Sequence, residues 1–260
     1  MTPAPHEQMR GPHQGRPPAT AGPPPAVAAA ALVLVHGRGA SAESILALGA
    51  EVVGDDPRRR RVALVAPRAS GHSWYPHSFL APLEDNEPWL SSGLAALGEL
   101  VADLEADGVP PERVVVAGFS QGACLALEFA ARNPRRYGGV AGLTGGLIGP
   151  PGTPRSVSSL GAGSLAGTPV FLGAGDPDPH VPWARVEESA EALRRLGAEV
   201  TLRRYPGLPH TVHREEIEAV RGMVDGALAA GGTRSAGAGG THAPAERPPP
   251  SAGAEPSGDG

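Results

Sequence analysis

The chain has 260 residues and a formal net charge of −5, with 22 basic side chains, all arginine, against 27 acidic ones. That balance leaves no electrostatic footprint for nucleic acid or an anionic membrane. No apolar run approaches the roughly 18 residues of a membrane span, and the single cysteine, Cys124, rules out an intrachain disulfide.

Residues 1–25 carry Pro3, Pro5, Pro12, Pro17, Pro18 and Pro23-Pro-Pro25 with almost no large apolar side chain. Residues 231–260 are mostly Gly, Ala, Pro, Ser and Thr. Both ends are expected to be disordered tails, because neither buries enough surface to offset its ordering entropy. Residues 26–230 remain as a single folded domain. The sole cysteine and the lack of a basic leader ahead of the apolar run 27–35 imply a cytoplasmic location.

Within that domain, residues 27–35 read as a buried strand, and Ser41 caps a helix with Ile45, Leu48 and Val52 on one face. Residues 62–65 form the next strand. The Arg58–Arg61 run before it reads as a solvated turn, since a nucleic-acid site needs basic residues spread over a face. Residues 67–90 have no periodicity but gather Trp74, Tyr75, Phe79 and Trp89. A helix with Leu94, Leu97, Val101 and Leu104 inward follows, and then the central stretch, Val114-Val-Val-Ala-Gly-Phe-Ser-Gln-Gly-Ala-Cys-Leu-Ala-Leu127.

Its β-branched run predicts a buried strand, Gly118-Phe-Ser-Gln-Gly122 a tight turn, and the residues beyond a helix that stops at Asn133-Pro134. A serine on such a turn is held with its hydroxyl exposed, a nucleophile's position. The Gln121 N–H at the new helix's N-terminus supplies half of an anion hole. Strands at 139–143, 169–172 and 200–205 alternate with helices whose inner faces carry Val186, Ala190 and Leu193, then Ile217, Val220 and Val224. A Gly/Ser/Pro-rich loop runs from 149 to 167. The pattern predicts an α/β fold: a mostly parallel sheet with helices on both faces.

Sites in such sheets form at the carboxyl ends of the strands. Four polar groups fall there: His36-Gly-Arg-Gly39, Ser120, the pair Asp176 and Asp178, and the pair His210 and His213. Serine needs a base to take its proton, and the base needs a carboxylate to fix its tautomer. The chain order Ser, Asp, His is that of α/β-hydrolases. Leu34-Val-His-Gly-Arg-Gly-Ala-Ser41, Ser73-Trp-Tyr75, Gly118-Phe-Ser-Gln-Gly-Ala123, Asp178-Pro-His-Val-Pro182 and Tyr205-Pro-Gly-Leu-Pro-His210 together resemble the phospholipase/carboxylesterase family of the α/β-hydrolase superfamily, which includes acyl-protein thioesterases.

The resemblance implies the α/β-hydrolase fold, Ser120 as nucleophile, Asp178 as orienting carboxylate and His210 as base. It also implies the backbone N–H groups of Arg38 and Gln121 as an oxyanion hole. His213 is then a solvent-facing residue and His36 a backbone-bonded structural one. Trp74, Tyr75 and Phe79, with Leu147 and Ile148, are expected to line the substrate pocket, loop packing being the competing use. His210-x-x-His213 lacks a third ligand at metal-site spacing, so neither metal nor cofactor is expected. The expected activity is hydrolysis of small soluble carboxylic esters by an acyl-enzyme route. The alternatives are a thioesterase or lysophospholipase of the same fold, and an inactive binding module. The expected partner is a small-molecule ester, not nucleic acid, and a homodimer is left open.

Overall fold

The computed structural model describes residues 11–152 and 163–232. The C-terminal tail expected from residue 231, apart from its first two residues, and the middle of the 149–167 loop lie outside the described residues. Seven strands form one sheet: β1 (Ala19–Ala21), β2 (Ala30–Val35), β3 (Val62–Ala66), β4 (Val114–Phe119), β5 (Gly139–Leu143), β6 (Pro169–Asp176) and β7 (Glu199–Pro206). Their order across the sheet is β1-β3-β2-β4-β5-β6-β7, and every pairing is parallel except β1 with β3.

β2 through β5 sit inside the sheet and are apolar on both sides, because helices cover both faces. One face packs Leu32, Leu34, Val115 and Phe171 against α1 (Ala42–Val53) and α5 (Arg214–Gly232), through Ile45, Val52, Val220 and Val224. The other packs Val33, Val35, Val116 and Leu172 against α2 (Trp89–Ala106), α3 (Gln121–Arg132) and α4 (Trp183–Arg195). α1 starts where expected: Ser41 Oγ accepts the Ser44 amide at 3.2 Å, and Ser44 Oγ returns the bond to the Ser41 amide at 3.0 Å. β7 is not apolar on both sides as the inner strands are. It is the edge strand, its exposure alternates, and the exposed Arg203 and Arg204 guard an edge that an apolar strand would leave open to pairing.

The start of the domain needs correction. Residues 11–25, expected in a disordered tail, fold onto the sheet. Ala19, Thr20 and Ala21 pair with Ala66, Val65 and Leu64. His13 is 2% exposed. Its amide donates to Ser92 Oγ (2.9 Å), its Nε2–H to the Trp74 carbonyl (2.9 Å), and its Nδ1 accepts the Ser70 amide (2.9 Å). Burial lowers its pKa, and the Nδ1 acceptor role requires the neutral ring. The segment is anchored by ladder and side-chain hydrogen bonds rather than by apolar area, so its composition conceals its order.

Candidate active site

β4 delivers Ser120 at the tip of a turn that only glycine permits. A Cβ on Gly118 would run into the Gly122 carbonyl, and one on Gly122 into the Val35 carbonyl. Ser120 itself has φ 55° and ψ −118°, a strained conformation for a non-glycine residue that costs on the order of 1–3 kcal/mol. The strain is held by the bonds at either end: the Ser120 amide donates to the Leu143 carbonyl (3.0 Å) and the Cys124 amide to the Ser120 carbonyl (3.1 Å).

The loops after β6 and β7 bring Asp178 and His210 to this serine. His210 Nε2 lies 2.9 Å from Ser120 Oγ, and His210 Nδ1 lies 2.8 Å from Asp178 Oδ2. Asp178 Oδ1 accepts the amides of His180 (2.8 Å) and Val181 (2.9 Å). Burial pushes the Asp178 carboxyl upward. The His180 and Val181 amides and the His210 ring outweigh it, leaving the group below the usual carboxylate value. The carboxylate is therefore ionised at neutral pH and faces Nδ1, which sets the tautomer that leaves Nε2 free to accept the serine proton.

The second aspartate and second histidine are used elsewhere. Asp176 pairs with Arg204, whose Nε donates to Oδ2 at 2.7 Å while the guanidinium lies 5.5 Å from the Trp183 ring centre. His213 precedes α5 as its cap: its Nδ1 accepts the Glu215 amide (3.3 Å) and its own amide donates to Glu216 Oε2 (2.7 Å). It is only partly exposed and packs on Tyr205 at 4.6 Å between ring centres, so its surroundings are structural rather than simply solvent. His36 is buried, with its Nδ1–H donating to the Gly37 carbonyl (2.9 Å) and its Nε2 accepting the Ala69 amide (3.3 Å). Burial lowers its pKa and the ring is neutral.

The amides of Arg38 and Gln121 donate to no acceptor among the described residues, and both residues line the cavity that contains Ser120 Oγ. Two unspent donors beside a serine hydroxyl could hold an oxyanion. The Gln121 side chain has a separate use. Its Oε1 accepts the Trp74 amide (2.9 Å) and its Nε2 donates to the Tyr75 carbonyl (2.8 Å), pinning the aromatic loop above the turn.

The cavity measures about 540 Å³. Tyr75 and Phe79 line it as expected, whereas Trp74, Leu147 and Ile148 do not. Trp74 is fully buried and donates Nε1–H to the His36 carbonyl (2.9 Å), and Leu147 and Ile148 lie in the core beneath α4 and α3. Loop packing wins there because an indole in the core needs a partner for its N–H, and the His36 carbonyl provides one. Phe119, His77, His180 and Val181 also line the cavity. The last two sit in the Asp178-Pro-His-Val-Pro182 motif, so their closeness to the triad was readable from it. Cys124 reaches the cavity too, but burial pushes its thiol up to about 12, which leaves it protonated and unreactive at neutral pH. Among the described residues no group of three side chains could hold a metal ion, and no helix is long and apolar enough to cross a membrane.

The strand order and the serine turn define an α/β-hydrolase fold with a Ser–His–Asp cluster at the carboxyl ends of its strands. Comparison with known proteins narrows this. The model of the phospholipase/carboxylesterase family matches residues 22–226, and the chain belongs to that family. A solved phospholipase/carboxylesterase from Dyadobacter fermentans is 44% identical, with a TM-score of 0.74 over 81% of this chain and 96% of that one. Acyl-protein thioesterase 1 of Gibberella zeae is 35% identical over 45% of this chain and 49% of its own length. A probable carboxylesterase of Oryza sativa is 32% identical over 61% of this chain and 59% of its own. The chain thus spans about half the length of the curated relatives that it matches.

Proposed function

We propose that the protein is a serine carboxylesterase that hydrolyses small soluble esters through an acyl-enzyme. The observation that carries this reading is the continuous hydrogen-bonded line Ser120 Oγ, His210 Nε2, His210 Nδ1, Asp178 Oδ2, with steps of 2.9 and 2.8 Å. Ser120 Oγ attacks the ester carbonyl as its proton passes to His210 Nε2, and the new oxyanion is held by the Arg38 and Gln121 amides. The carbon–oxygen bond to the alcohol breaks and the alcohol leaves with the His210 proton. Water then attacks the acyl-serine, giving its proton to His210, and the tetrahedral intermediate collapses to release the acid and restore the serine. The imidazolium formed twice in the cycle is stabilised by the ionised Asp178. A cavity of about 540 Å³ suits a small-molecule ester. The single buried thiol is compatible with a cytoplasmic setting.

The test is hydrolysis of p-nitrophenyl butyrate by wild type and Ser120→Ala. The variant should lose at least about 10³-fold in kcat, and unchanged turnover would remove Ser120 as nucleophile. Fluorophosphonate labelling of the folded wild type separates an enzyme from a binding module: the reagent should label Ser120, and an unlabelled protein would favour the module. The thioesterase reading is favoured by the name of the Gibberella zeae relative. A matched oxygen-ester and thioester pair with the same acyl group decides between them by kcat/KM.

A further inference from the structure

The charge of the cavity points to the substrate. The lining holds no carboxylate: its ionisable side chains are Arg38, His77, His180 and His210, with Tyr75 and Cys124, both of which burial pushes up and keeps neutral. Imidazole can carry positive charge but not negative, and guanidinium is always cationic. Asp178, the acid of the Ser120 cluster, has a fully shielded side chain that faces His210 Nδ1, and Glu128, which acts on the lining residues Tyr75 and Cys124, is buried and paired with Arg132.

Arg38 is exposed, yet three hydrogen bonds tie its guanidinium to the neighbouring loop. Its Nη1 donates to Ser73 Oγ (3.1 Å) and the Pro76 carbonyl (2.9 Å), and its Nη2 to the His77 carbonyl (2.7 Å). All three acceptors are neutral, so the positive charge has no ionic partner among the described residues. Three of five N–H donors are spent. The remaining two are Nε–H and one Nη2–H, on the two neighbouring nitrogens from which a guanidinium can bind a carboxylate side-on. A surface arginine with no task would pair with an acid or move freely. This one is tied to residues 73–77, lines the same cavity as Ser120, and has the Tyr75 ring 5.9 Å from its Cζ.

We infer that the substrate carries a carboxylate, which the unspent edge of the Arg38 guanidinium receives while the ester carbonyl sits at Ser120. This rests on the esterase reading and narrows it: the substrate class is esters with an anionic group, either in the acyl part, as in a monoester of a dicarboxylic acid, or in the alcohol part, as in an ester of a hydroxy acid. Arg38 thereby serves two ends of one substrate, its amide at the oxyanion and its side chain at the carboxylate. The clamp to residues 73–77 fixes the distance between them.

Two matched pairs test this in the full-length protein: the p-nitrophenyl monoester of glutaric acid against p-nitrophenyl valerate, and 4-acetoxybenzoate against its methyl ester. In wild type the anionic member of at least one pair should have a kcat/KM about tenfold above its neutral partner. Which pair shows it locates the carboxylate in the acyl or alcohol part. The preference should shrink as ionic strength rises from roughly 0.05 to 0.5 M. Arg38→Gln should lower the ratio about tenfold and Arg38→Lys by less, since ammonium keeps the charge but loses the fork. Equal or better hydrolysis of the neutral esters in both pairs overturns the inference, as does a ratio that Arg38→Gln leaves unchanged. If Arg38→Gln fails to fold, the wild-type ratio and its salt dependence still decide. Loss of hydrolysis for every ester tested is a different failure, that of the esterase reading itself.

Discussion

Ser120 and its two hydrogen-bonded partners are held in place by different means. The Ser120 turn is fixed by backbone contact: β4 and α3 pass so closely that Gly118 and Gly122 cannot be anything larger, and the Leu143 carbonyl anchors the serine amide. The segments that carry Asp178 and His210 share one close backbone approach, Gly175 against the Leu208 carbonyl, and one backbone bond, Gly207 N–H to the Asp176 carbonyl (2.9 Å), but side-chain bonds hold the rest of them beside β7. Just past His210, at the start of α5, Glu216 is fully buried with Oε1 unpartnered among the described residues, and so is the buried Tyr205 hydroxyl in β7. Buried polar groups left unpaired cost free energy in every folded molecule. One side of the site rests chiefly on steric contact, and the other adds a polar assembly to its backbone contacts.

The largest expected effect lies in the polar assembly. In Asp178→Asn the His180 and Val181 amides, 2.8 and 2.9 Å from Oδ1, hold the one carbonyl oxygen of the new amide. Its NH₂ must then face His210 Nδ1. That forces the proton onto Nε2, where it meets the Ser120 hydroxyl and cannot accept its proton. Turnover should fall about 10³–10⁴-fold with the melting temperature little changed. A fall below tenfold would mean that Asp178 does not set the tautomer.

The steric side should fail differently. Gly122→Ala drives a methyl group into the Val35 carbonyl, where neither strand nor helix can give way without losing the turn. The expected cost is upward of about 3 kcal/mol in denaturant unfolding, with activity lost in proportion to folded protein. A stable Gly122→Ala with normal turnover would erase the contrast between the two sides.

The same contrast explains what could be read before any coordinates. Steric requirements leave marks in sequence: β-branched residues, then two glycines around a serine, then a helix former at once. From those the turn, the serine at its tip and the parallel sheet followed. Hydrogen-bond requirements leave weaker marks. Asp176 and Asp178 differ in nothing but frame, and so do His210 and His213. The residues alone left both pairs open, and only the family resemblance separated them. Trp74 beside Tyr75 was indistinguishable from a pocket residue until its indole N–H was seen to bond the His36 carbonyl. His13 was hidden most completely, since three hydrogen bonds anchor a proline-rich segment whose composition argues for disorder.

Glu216 offers a medium-sized effect with a definite pH signature. Burial is the main cause of its shift and the His213 amide opposes it, and the carboxyl is pushed up to about 7. The folded state therefore favours the neutral acid, while the unfolded chain ionises near the ordinary value of 4.5. The neutral group's stabilising share is complete below that value and is lost as pH rises through about 7. Glu216→Gln keeps an acceptor for the His213 amide and removes the titration. Wild type and variant should unfold at similar urea concentrations at low pH, below the carboxyl's ordinary range. On the alkaline side the variant should be more stable, by on the order of 3 kcal/mol. A gap that does not widen with pH would show that Glu216 does not titrate in the folded state.

Asp176 should give the smallest effect, and it tests the assignment of the two aspartates. It sits two residues before Asp178, yet its carboxylate turns to Arg204 on β7, with Arg204 resting against Trp183. Half-exposed ion pairs of this kind contribute no more than about 1 kcal/mol and are weakened by salt. Asp176→Asn should therefore change turnover less than about threefold and stability by less than about 1 kcal/mol. The pairing with Arg204 ties the end of β6 to β7, so whatever loss appears should fall on KM, through the placement of the His180 and Val181 wall, and leave kcat alone. Activity falling as far as in Asp178→Asn would mean that the two carboxylates act as one unit, and the division between an orienting acid and a strand tie would be wrong.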